Sequence, residues 1–334
     1  MASKLGEYSF DKYCDDLKDE WDRFVMNGSV NGTFLNTRRF LEYHPVGRFD
    51  DASVLVRNSK EKVIAVVPAA SVVDGGRRVF SSHPGSTFGG LIVGKKEYDA
   101  EHVLGLVRSL EEWLIGEGFE RAVMKQTAQI FCSASCDLLD CCYFIEGWND
   151  WRELSTAIRL ADLPDDAVSG FARVRRRGYK NGAENDLAFA RLTEDAEIAE
   201  FHAILTDNLR KHGATPIHTV DDLLDFKNNR LCDEVEFYGV SHDGELVSAA
   251  MMFNFGDKVI HTQNLSTLQD RLELHSGDFL YGNLIPLFKK RGFDWYSFGI
   301  STEEHGKILN EGLVKFKEGF GSSYVANRTY WKDF

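Results

Sequence analysis

Hydrophobic and polar residues follow two periodicities along the chain, and together they predict a mixed α/β protein. Apolar runs flank short polar turns at 52–70 and at 234–255, which predicts a β-hairpin in each half of the chain. Each hairpin is followed by a helix with an apolar period that ends at a Gly-Phe pair, Gly118-Phe119 or Gly292-Phe293. Glycine suits the left-handed C-cap of a helix, and the phenylalanine opens the next strand.

This recurrence of elements predicts an internal duplication. The periodicity is interrupted at 160–170, where aspartates and a proline cluster, so we expect one domain over 1–160 and a second over 161–334. The alternative is that the order hairpin, helix, strand is common in α/β proteins without any duplication.

Further helices are predicted in the second half of the chain. The pattern predicts them over 172–185, over 193–211 with Thr193 as the N-cap, and over 277–291. The C-terminal stretch predicts a buried strand at 295–298, a polar loop, an amphipathic helix at 307–320 and a closing strand.

Composition narrows the class of protein. The 334 residues are 43% apolar and 27% charged, as in soluble globular proteins. A net charge of −13 disfavours broad nucleic-acid binding but is compatible with a small anionic ligand in a local basic pocket. Residues 1–8 do not resemble a signal peptide, and no apolar run reaches membrane-spanning length, so we expect a cytoplasmic protein without a membrane partner.

The six cysteines predict free thiols in a reducing compartment. Cys132, Cys136, Cys141 and Cys142 cluster without neighbouring histidines and without the paired C-x-x-C spacing of a zinc site. We therefore expect no metal.

The order of strand, polar loop, helix, F-K-x-G-F-G motif at 316–321 and closing strand resembles the C-terminal end of the FemAB-like branch of the GNAT acyltransferase superfamily. The segments 31–40, 83–90, 173–180 and 208–213 match in order and spacing. The resemblance implies two tandem GNAT-like domains, each a twisted mixed sheet flanked by helices, with the active site between them. The first domain would be the acceptor side and the second the acyl-donor side.

The same resemblance implies the class of reaction. It favours an N-acyltransferase that moves an acyl group from a coenzyme A thioester to the amino group of a nucleotide-linked amino sugar for surface polysaccharide biosynthesis. One alternative is an aminoacyl-tRNA-dependent peptidyltransferase of cell-wall synthesis, which would make tRNA a partner. Another is a GNAT-like binding module without catalysis. The sequence does not predict the oligomeric state.

The acceptor side is expected where small, hydroxyl or basic residues concentrate. Glycines and serines at 81–90 let backbone N–H groups approach a ligand, or they form a simple turn. Of the adjacent Arg38 and Arg39, at most one can point into a cleft, and the basic run at 173–180 is either an anion site or a solvated helix face. The predicted substrate-binding residues are Arg38, His83, Ser86, Thr87, Gly89, Gly90, Arg176 and Lys317.

The donor side is implied by the resemblance at 258–291. Residues 258–266 resemble the splayed central strand that binds the pantetheine amides of coenzyme A, and the next helix would point its N-terminus at the pyrophosphate. The usual glycine-rich loop is absent, which leaves the identity of the donor open. The predicted donor-binding residues are Asn264, Ser266, Arg271, Ser276 and Gly277.

Amide formation from a thioester needs a neutral amine, a stabilised oxyanion and a proton for the leaving thiolate. Many GNAT enzymes place a tyrosine acid in the helix after the fifth strand, but 307–320 contains none. Tyr281, a water molecule or positioning alone are the alternatives. The predicted catalytic residues are His275, Glu303, Glu304, His305 and Tyr281.

Overall fold

The structure is a computed structural model that describes residues 8–211 and 213–334. The expectation for 1–8 lies almost wholly outside these residues, as does His212 of the matching segment 208–213. By their contacts, the described residues form two compact units: those from 8 to 153 together with 326–334, and those within 154–325. The predicted boundary near 160 did not anticipate that the C-terminal residues belong to the first unit.

Most strands belong wholly to one unit. The strands of the first unit are β1 (Tyr8–Lys12), β2 (Asp50–Asp51), β3 (Val54–Asn58), β4 (Val63–Val67), β5 (Ala69–Asp74), β6 (Arg77–Ser82), β7 (Ile92–Val93) and β8 (Arg121–Lys125). The strands of the second unit are β10 (Ala188–Leu192), β11 (Val235–His242), β12 (Glu245–Phe255), β13 (Val259–Thr267), β14 (Trp295–Ile300), β15 (Thr302–Glu303) and β16 (Ile308–Leu309). The chain passes from one unit to the other within β9 (Asn149–Arg159) and β17 (Ser323–Asp333).

The α-helices are divided between the same units. The first unit has α1 (Lys18–Arg23), α2 (Arg38–Leu41), α3 (Ala100–Gly116) and α4 (Asp137–Ile145), and the second has α5 (Arg173–Glu184), α6 (Asp195–Arg210), α7 (Val220–Asp225), α8 (Ser276–Lys290) and α9 (Glu311–Glu318). Both predicted Gly-Phe helix ends are confirmed, because Gly118 and Gly292 have φ of 77° and 88° just after α3 and α8.

The first unit pairs its strands in the order β1-β3-β4-β7 and, separately, β17-β8-β6-β5-β2. The predicted hairpin at 52–70 is confirmed as β3 and β4. The strands β6 and β8 are parallel, and α3 lies between them in sequence. The core of the unit is formed by apolar side chains of this sheet and of α3 and α4, including Phe80, Leu110, Met124 and Tyr143.

The main sheet of the second unit pairs its strands in the order β10-β11-β12-β13-β14-β9, and β15 and β16 form a separate two-stranded sheet. The predicted hairpin at 234–255 is confirmed as β11 and β12. The strands β13 and β14 are parallel, and α8 lies between them in sequence, as α3 does between β6 and β8. Ile260 and Tyr296 of the sheet pack with Leu284 and Phe288 of α8 in the core.

Glycines allow α5 and α8 to pack closely. A Cβ atom at Gly282 of α8 would lie 2.2 Å from Cδ2 of Tyr179, and one at Gly182 of α5 would lie 2.8 Å from Cβ of Phe279. A Cβ atom at Gly178 would lie 1.9 Å from the Asp278 carboxylate. Because real Cβ atoms do not approach other atoms so closely, larger residues at these positions would push the helices apart.

Two helix starts differ from the prediction. Glu194, not Thr193, is the N-cap of α6, because Glu194 and Glu197 form a reciprocal capping box. The predicted helix at 307–320 begins only at Glu311, with Asn310 as the N-cap. The residues before it form the β15–β16 hairpin, whose turn has φ of 48°, 56° and 85° at Glu304, His305 and Gly306, values that a right-handed helix does not contain.

We expect Gly282→Ala to lower the free energy of unfolding by about 1–3 kcal/mol, because the added methyl group overlaps the Tyr179 ring. The control is Gly105→Ala within α3, where a Cβ atom meets only Tyr8 at an ordinary 3.5 Å. That variant should gain up to about 1 kcal/mol from helix propensity alone. Chemical denaturation measures both changes, and equal effects at the two sites would contradict the packing described for α5 and α8.

Candidate active site

The strands β13 and β14 separate soon after they pair. Their parallel pairing is confined to three residue pairs, Val259–Trp295, Ile260–Tyr296 and His261–Ser297. Beyond His261, β13 continues to Thr267 alongside β12 alone, while β14 continues to Ile300 alongside β9. The edge of β13 from Thr262 onward therefore turns backbone groups toward a gap, in agreement with the splayed strand expected at 258–266.

Irregularities in both strands accompany the separation. On β13, the register with β12 shifts so that Gln263 is an extra, bulged residue. On β14, the register with β9 shifts at Phe298, and Gly299 has a φ of 76°. A β-bulge bends its strand and increases the local twist, so the two bulges direct β13 and β14 away from each other.

Lys317 of α9 forms hydrogen bonds with the end of β14. It is 4% exposed, and its Nζ donates to the carbonyl oxygens of Gly299 and Ile300 at 3.0 and 2.8 Å and to Oγ of Ser301 at 2.8 Å. All three acceptors are neutral. Burial lowers the pKa of the Lys317 ammonium group to about 8.

His261 lies at the point where the strands part. Its Nδ1 is 3.0 Å from Oγ of Ser297, its partner on β14, and its ring meets the Phe255 ring edge-to-face. A Cβ atom at Gly299 would be 3.1 Å from Cε1 of His261. Burial and, secondarily, the charge of Lys317 lower the pKa of the His261 imidazole to about 4. His261 is therefore neutral, and Lys317 charged, near neutral pH.

Two of the predicted donor-binding residues have buried hydroxyl groups that lack a partner. Ser266 near the end of β13 and Ser276 at the start of α8 are each 1% exposed, and neither Oγ has a hydrogen-bond partner within the described residues. Gly277 follows Ser276, and a Cβ atom there would lie 3.6 Å from Oγ1 of Thr267. Because an unpaired buried hydroxyl is costly, a ligand that supplies the missing hydrogen bonds fits this position.

The other two predicted donor-binding residues are placed differently. Asn264 is a partly buried residue of β13 opposite Met251 of β12. Arg271 lies in the turn before α8 and pairs with Glu245 at 2.6 Å. Its guanidinium group thus has a carboxylate partner within the unit.

The first turn of α8 holds a carboxylate of the chain itself. Asp278 is 9% exposed and accepts from Nη1 of Arg175 on α5 at 2.6 Å. His275, with a φ of 55°, is the N-cap of α8; its Nδ1 is 3.8 Å from Asp278, and its Nε2 is 3.2 Å from Nδ2 of Asn181. Burial raises the pKa of Asp278, although Arg175 and His275 act in the opposite direction. The predicted catalytic His275 is thus part of a contact between α5 and α8.

The remaining predicted catalytic residues fall into two groups: three lie in an exposed hairpin, whereas Tyr281 is hydrogen-bonded through its side chain to Thr262, the first residue of β13 beyond its pairing with β14. Glu303, Glu304 and His305 are exposed in the β15–β16 hairpin, where Glu303 accepts from Nδ2 of Asn310 at 3.1 Å. Tyr281 is buried among aromatic rings, including Phe298 and Phe320, and this burial raises its pKa.

The corresponding parallel pair of the first unit is closed by the chain itself. The strands β6 and β8 also pair over only three residue pairs, Val79–Arg121 to Ser81–Val123. Immediately beyond them, Oγ of Ser82 accepts from the Lys125 backbone N–H at 2.6 Å, and the Gly89 N–H donates to the Lys125 carbonyl at 2.7 Å. The space that remains between β13 and β14 is therefore filled in the first unit by Ser82 and Gly89.

This closure explains the glycines of the predicted substrate loop. A Cβ atom at Gly89 would lie 2.8 Å from Cβ of Ser82, and one at Gly90, whose φ is 72°, would lie 2.4 Å from Oε1 of Gln126. Both glycines are required by packing within the unit. A Gly89→Val variant would therefore test the fold of this loop before it tests ligand binding.

Other predicted substrate-binding residues also have partners in their own units. Arg38 is buried under the Tyr13 ring and pairs with Asp51 at 2.5 Å, and Oγ of Ser86 donates to the Leu35 carbonyl. Thr87 is partly buried. Arg176 is exposed and donates to the carbonyl of Phe171 at 2.6 Å.

His83 differs from these residues because its buried Nδ1 has no hydrogen-bond partner within the described residues. Its ring stacks on His44 at 5.7 Å. Burial, with the nearby His44 and Arg38 as further causes, lowers the pKa of His83 to about 4. A neutral imidazole can donate or accept a hydrogen bond, so His83 is the member of the predicted loop that remains suited to a ligand.

In 8–211 and 213–334, no three His, Cys, Asp or Glu side chains come together in a way that could hold a metal ion. In the described part of the chain, no helix has the length and apolar character needed to cross a membrane.

A match to a known family covers most of this second unit. Residues 169–307 match the acetyltransferase (GNAT) domain family. This stretch of the chain is thus similar to the GNAT domain family. The strands β13 and β14 and the helix α8 lie within the match, whereas Lys317 lies beyond its end. A search of curated protein sequences finds no significant match.

Solved structures extend the similarity in fold to the whole chain. The crystal structure of FemX superposes with a TM-score of 0.71 at 10% identity, covering 98% of this chain and 97% of that one. A tandem GNAT protein from the clavulanic acid biosynthesis pathway gives 0.54 at 11% identity, covering 98% of both chains. A C-terminal domain of a lysylphosphatidylglycerol synthetase from Agrobacterium fabrum gives 0.59 at 12% identity, covering 96% and 92%.

Together these similarities confirm the tandem GNAT-like fold and the resemblance to the FemAB-like branch. The enzyme class that they support is acyltransferase.

From the sequence, His261 and Ser297 were not identified as site residues, and Lys317 was assigned a different role. His261 and Ser297 lie in ordinary strand sequence, and only the register of β13 with β14 brings them together. Lys317 was predicted to bind substrate, but its ammonium group contacts β14 instead. The single sequence signal for Lys317 was its place in the F-K-x-G-F-G motif.

The buried Lys317 predicts a pH dependence of stability. Its pKa of about 8 in the folded chain lies below the ordinary 10.5, so the unfolded chain binds more protons between these values and stability rises with pH there. Lys317→Met removes this titration. The free energy of unfolding of the wild type, relative to this variant, should rise by up to about 3 kcal/mol from neutral pH to about pH 10.5.

The control for that experiment is Lys315→Met, because Lys315 is exposed on the same helix. Its difference from the wild type should not change with pH. Parallel pH profiles for the wild type and Lys317→Met would show that Lys317 is not held in the environment described here.

Proposed function

We propose that the protein is an N-acyltransferase that moves an acyl group from a coenzyme A thioester to the amino group of a nucleotide-linked amino sugar. The observation that carries the proposal is the open edge of β13 beside the buried Lys317. Surface polysaccharide biosynthesis is the expected setting for an acceptor of this kind.

The donor is supported by what the gap between β13 and β14 offers. Pantetheine carries two amides, and the backbone groups of β13 beyond His261 can pair with them as a neighbouring strand would. The unpartnered hydroxyls of Ser266 and Ser276 lie at the end of β13 and the start of α8, which leads away from it. The closed counterpart in the first unit favours the second unit as the donor side.

Lys317 supplies a proton source suited to a thiol leaving group. An acid works best when its pKa is near that of the group it protonates, and the pKa of Lys317, about 8, is close to the roughly 8.5 of a thiol. The three N–H groups of Lys317 are engaged, and one of them donates to Oγ of Ser301. We infer that Ser301 passes the proton on. Lys317 thus takes the role that the absent tyrosine of 307–320 would have had.

The amino-sugar acceptor rests on weaker support. His83, in the loop that resembles the acceptor segment of the family, is buried with an unpartnered Nδ1. A glucosamine N-acetyltransferase region of a fungal multi-domain protein has a similar fold, with a TM-score of 0.50 at 13% identity over 97% of this chain and 38% of that one. That region is named for its action on glucosamine, which is an amino sugar.

The second candidate function is aminoacyl transfer, and the Asp278–Arg175 pair favours it. Asp278 places a carboxylate in the first turn of α8, where a GNAT domain that binds coenzyme A would hold pyrophosphate. The Asp278 carboxylate, paired with Arg175, thus already occupies the anion-favouring N-terminus of this helix. A donor without a diphosphate would not bring a second anion to this position. The lysylphosphatidylglycerol synthetase of similar fold is named for a lipid that bears a lysyl group.

The donor is tested with the purified protein, a panel of acyl-CoAs and a panel of nucleotide-linked amino sugars. We expect acyl-CoA to raise the melting temperature, and thiol release to require an amino sugar. Ser276→Ala should raise KM for acyl-CoA about fivefold, the scale of one lost hydrogen bond, with kcat little changed. Ser241→Ala, at the far end of β11, is the matched control.

Two results would contradict the coenzyme A donor. One is the absence of both a thermal shift and thiol release at millimolar acyl-CoA. The other is amide formation from aminoacyl-tRNA that ribonuclease abolishes, which would establish the second candidate instead.

A further inference from the structure

An imidazole lies at the point where β13 and β14 part, beside the open edge of β13 to which the proposed function assigns the acyl donor. His261 is the last residue of β13 that pairs with β14, and the gap between the strands begins immediately after it. Its neighbours Ile260 and Tyr296 pack into the core with α8, and side chains alternate along a strand. His261 and Ser297 therefore share the opposite face of the sheet.

The contacts of His261 indicate which of its ring nitrogens could accept a proton. Of the groups packed around it, β12 contributes the Phe255 ring, β14 contributes the Ser297 hydroxyl, and α9 contributes the charged Lys317. When Nδ1–H donates to Oγ of Ser297, the lone pair of the imidazole is on Nε2. This is the tautomer that a proton acceptor needs.

We propose that His261 accepts the proton of the attacking amine during acyl transfer and that Ser297 holds its imidazole in position. The inference rests on the proposed function, in which the bound acyl carbon lies beside the open edge of β13. His261 is a catalytic residue in this account, and Ser297 is a positioning residue.

The proposed reaction conserves electron pairs and protons among the groups named. The amine lone pair forms the C–N bond, and the carbonyl π pair moves to oxygen. The nitrogen, now positive, gives its proton to His261. The oxygen pair then re-forms the carbonyl as the C–S bond breaks, and the thiolate takes a proton from Lys317 through Ser301. Protonated His261 returns its proton to Lys317 through solvent, so the net transfer is one proton from nitrogen to sulfur.

The pKa values fit this direction of proton flow. Because its lowered pKa leaves the His261 imidazole unprotonated at neutral pH, it can accept a proton, and its conjugate acid readily gives that proton up again. The proton then moves downhill to Lys317, whose pKa is about 8. Environments that push two neighbouring pKa values apart separate the roles of base and acid.

The bases predicted from sequence have other engagements. His275 contacts Asn181 and Asp278 between α5 and α8, and Glu303 is held by Asn310 in an exposed hairpin. None of them lies on β13 or β14, where the strands part.

His261→Asn and His261→Gln test the proposal with the full chain and the substrate pair that the wild type uses. We expect both to lower kcat by about a hundredfold, the usual scale for a lost general base, with KM for the donor within twofold. Added imidazole should restore part of the rate in either variant. Ser297→Ala should lower kcat about tenfold, and imidazole should not rescue it, because the base is still present.

His242→Asn, at the last residue of β11 before the β11–β12 turn, is the control for loss of a histidine and should keep the wild-type rate. If one His261 variant fails to fold, the other carries the test. The proposal is overturned if a folded variant binds the donor normally and keeps kcat within threefold of the wild type. If the wild type itself transfers no acyl group from any thioester or aminoacyl donor, the proposed function fails first, and this inference fails with it.

Discussion

The separation of two parallel strands after only three residue pairs is the constraint on which the account of this protein depends. A parallel pair normally satisfies the backbone groups along both strands. Here bulges at Gln263 and Phe298 bend the strands apart, and the core under Ile260 and Tyr296 holds the paired end in place. The edge of β13 that β14 leaves unpaired is thus produced by the fold itself and is available to a ligand with peptide-like groups.

A buried cation maintains the far side of this gap. Holding the Lys317 ammonium group away from water opposes folding by about 3 kcal/mol, as its lowered pKa indicates. In return, it satisfies two carbonyls at the end of β14, which has no strand partner on the side of β13 there. The first unit solves the same problem without a charge, since Ser82 and Gly89 fill its gap. The two units thus share a topology, and only the second keeps the gap open.

Much of the fold could be predicted because its signals are local. Alternating apolar residues and polar turns located both hairpins, and the Gly-Phe pairs located the ends of α3 and α8. The start of α9 could not be predicted in this way. Ile308 and Leu309 continue an apolar spacing that suits a helix, but three left-handed residues before them form a turn instead.

The candidate site was harder to predict, because it depends on the register in which β13 pairs with β14. Nothing near His261 or Ser297 in the sequence marks either residue. They lie 36 positions apart and meet only because β13 pairs with β14 in this register. Conversely, Gly89 was predicted to approach a ligand, whereas it approaches Ser82. A glycine indicates that another group approaches the backbone closely, but the sequence does not show whether that group is a ligand or a side chain of the same chain.

Hydrogen exchange of the backbone amides, followed by mass spectrometry with and without acyl-CoA, tests the central claim most directly. If the edge of β13 binds the donor, acyl-CoA should slow exchange in peptides that cover 262–267 and the start of α8 and should leave β6 and β8 of the first unit unchanged. Saturating acyl-CoA that leaves 262–267 unprotected, or that protects only the first unit, would contradict the account.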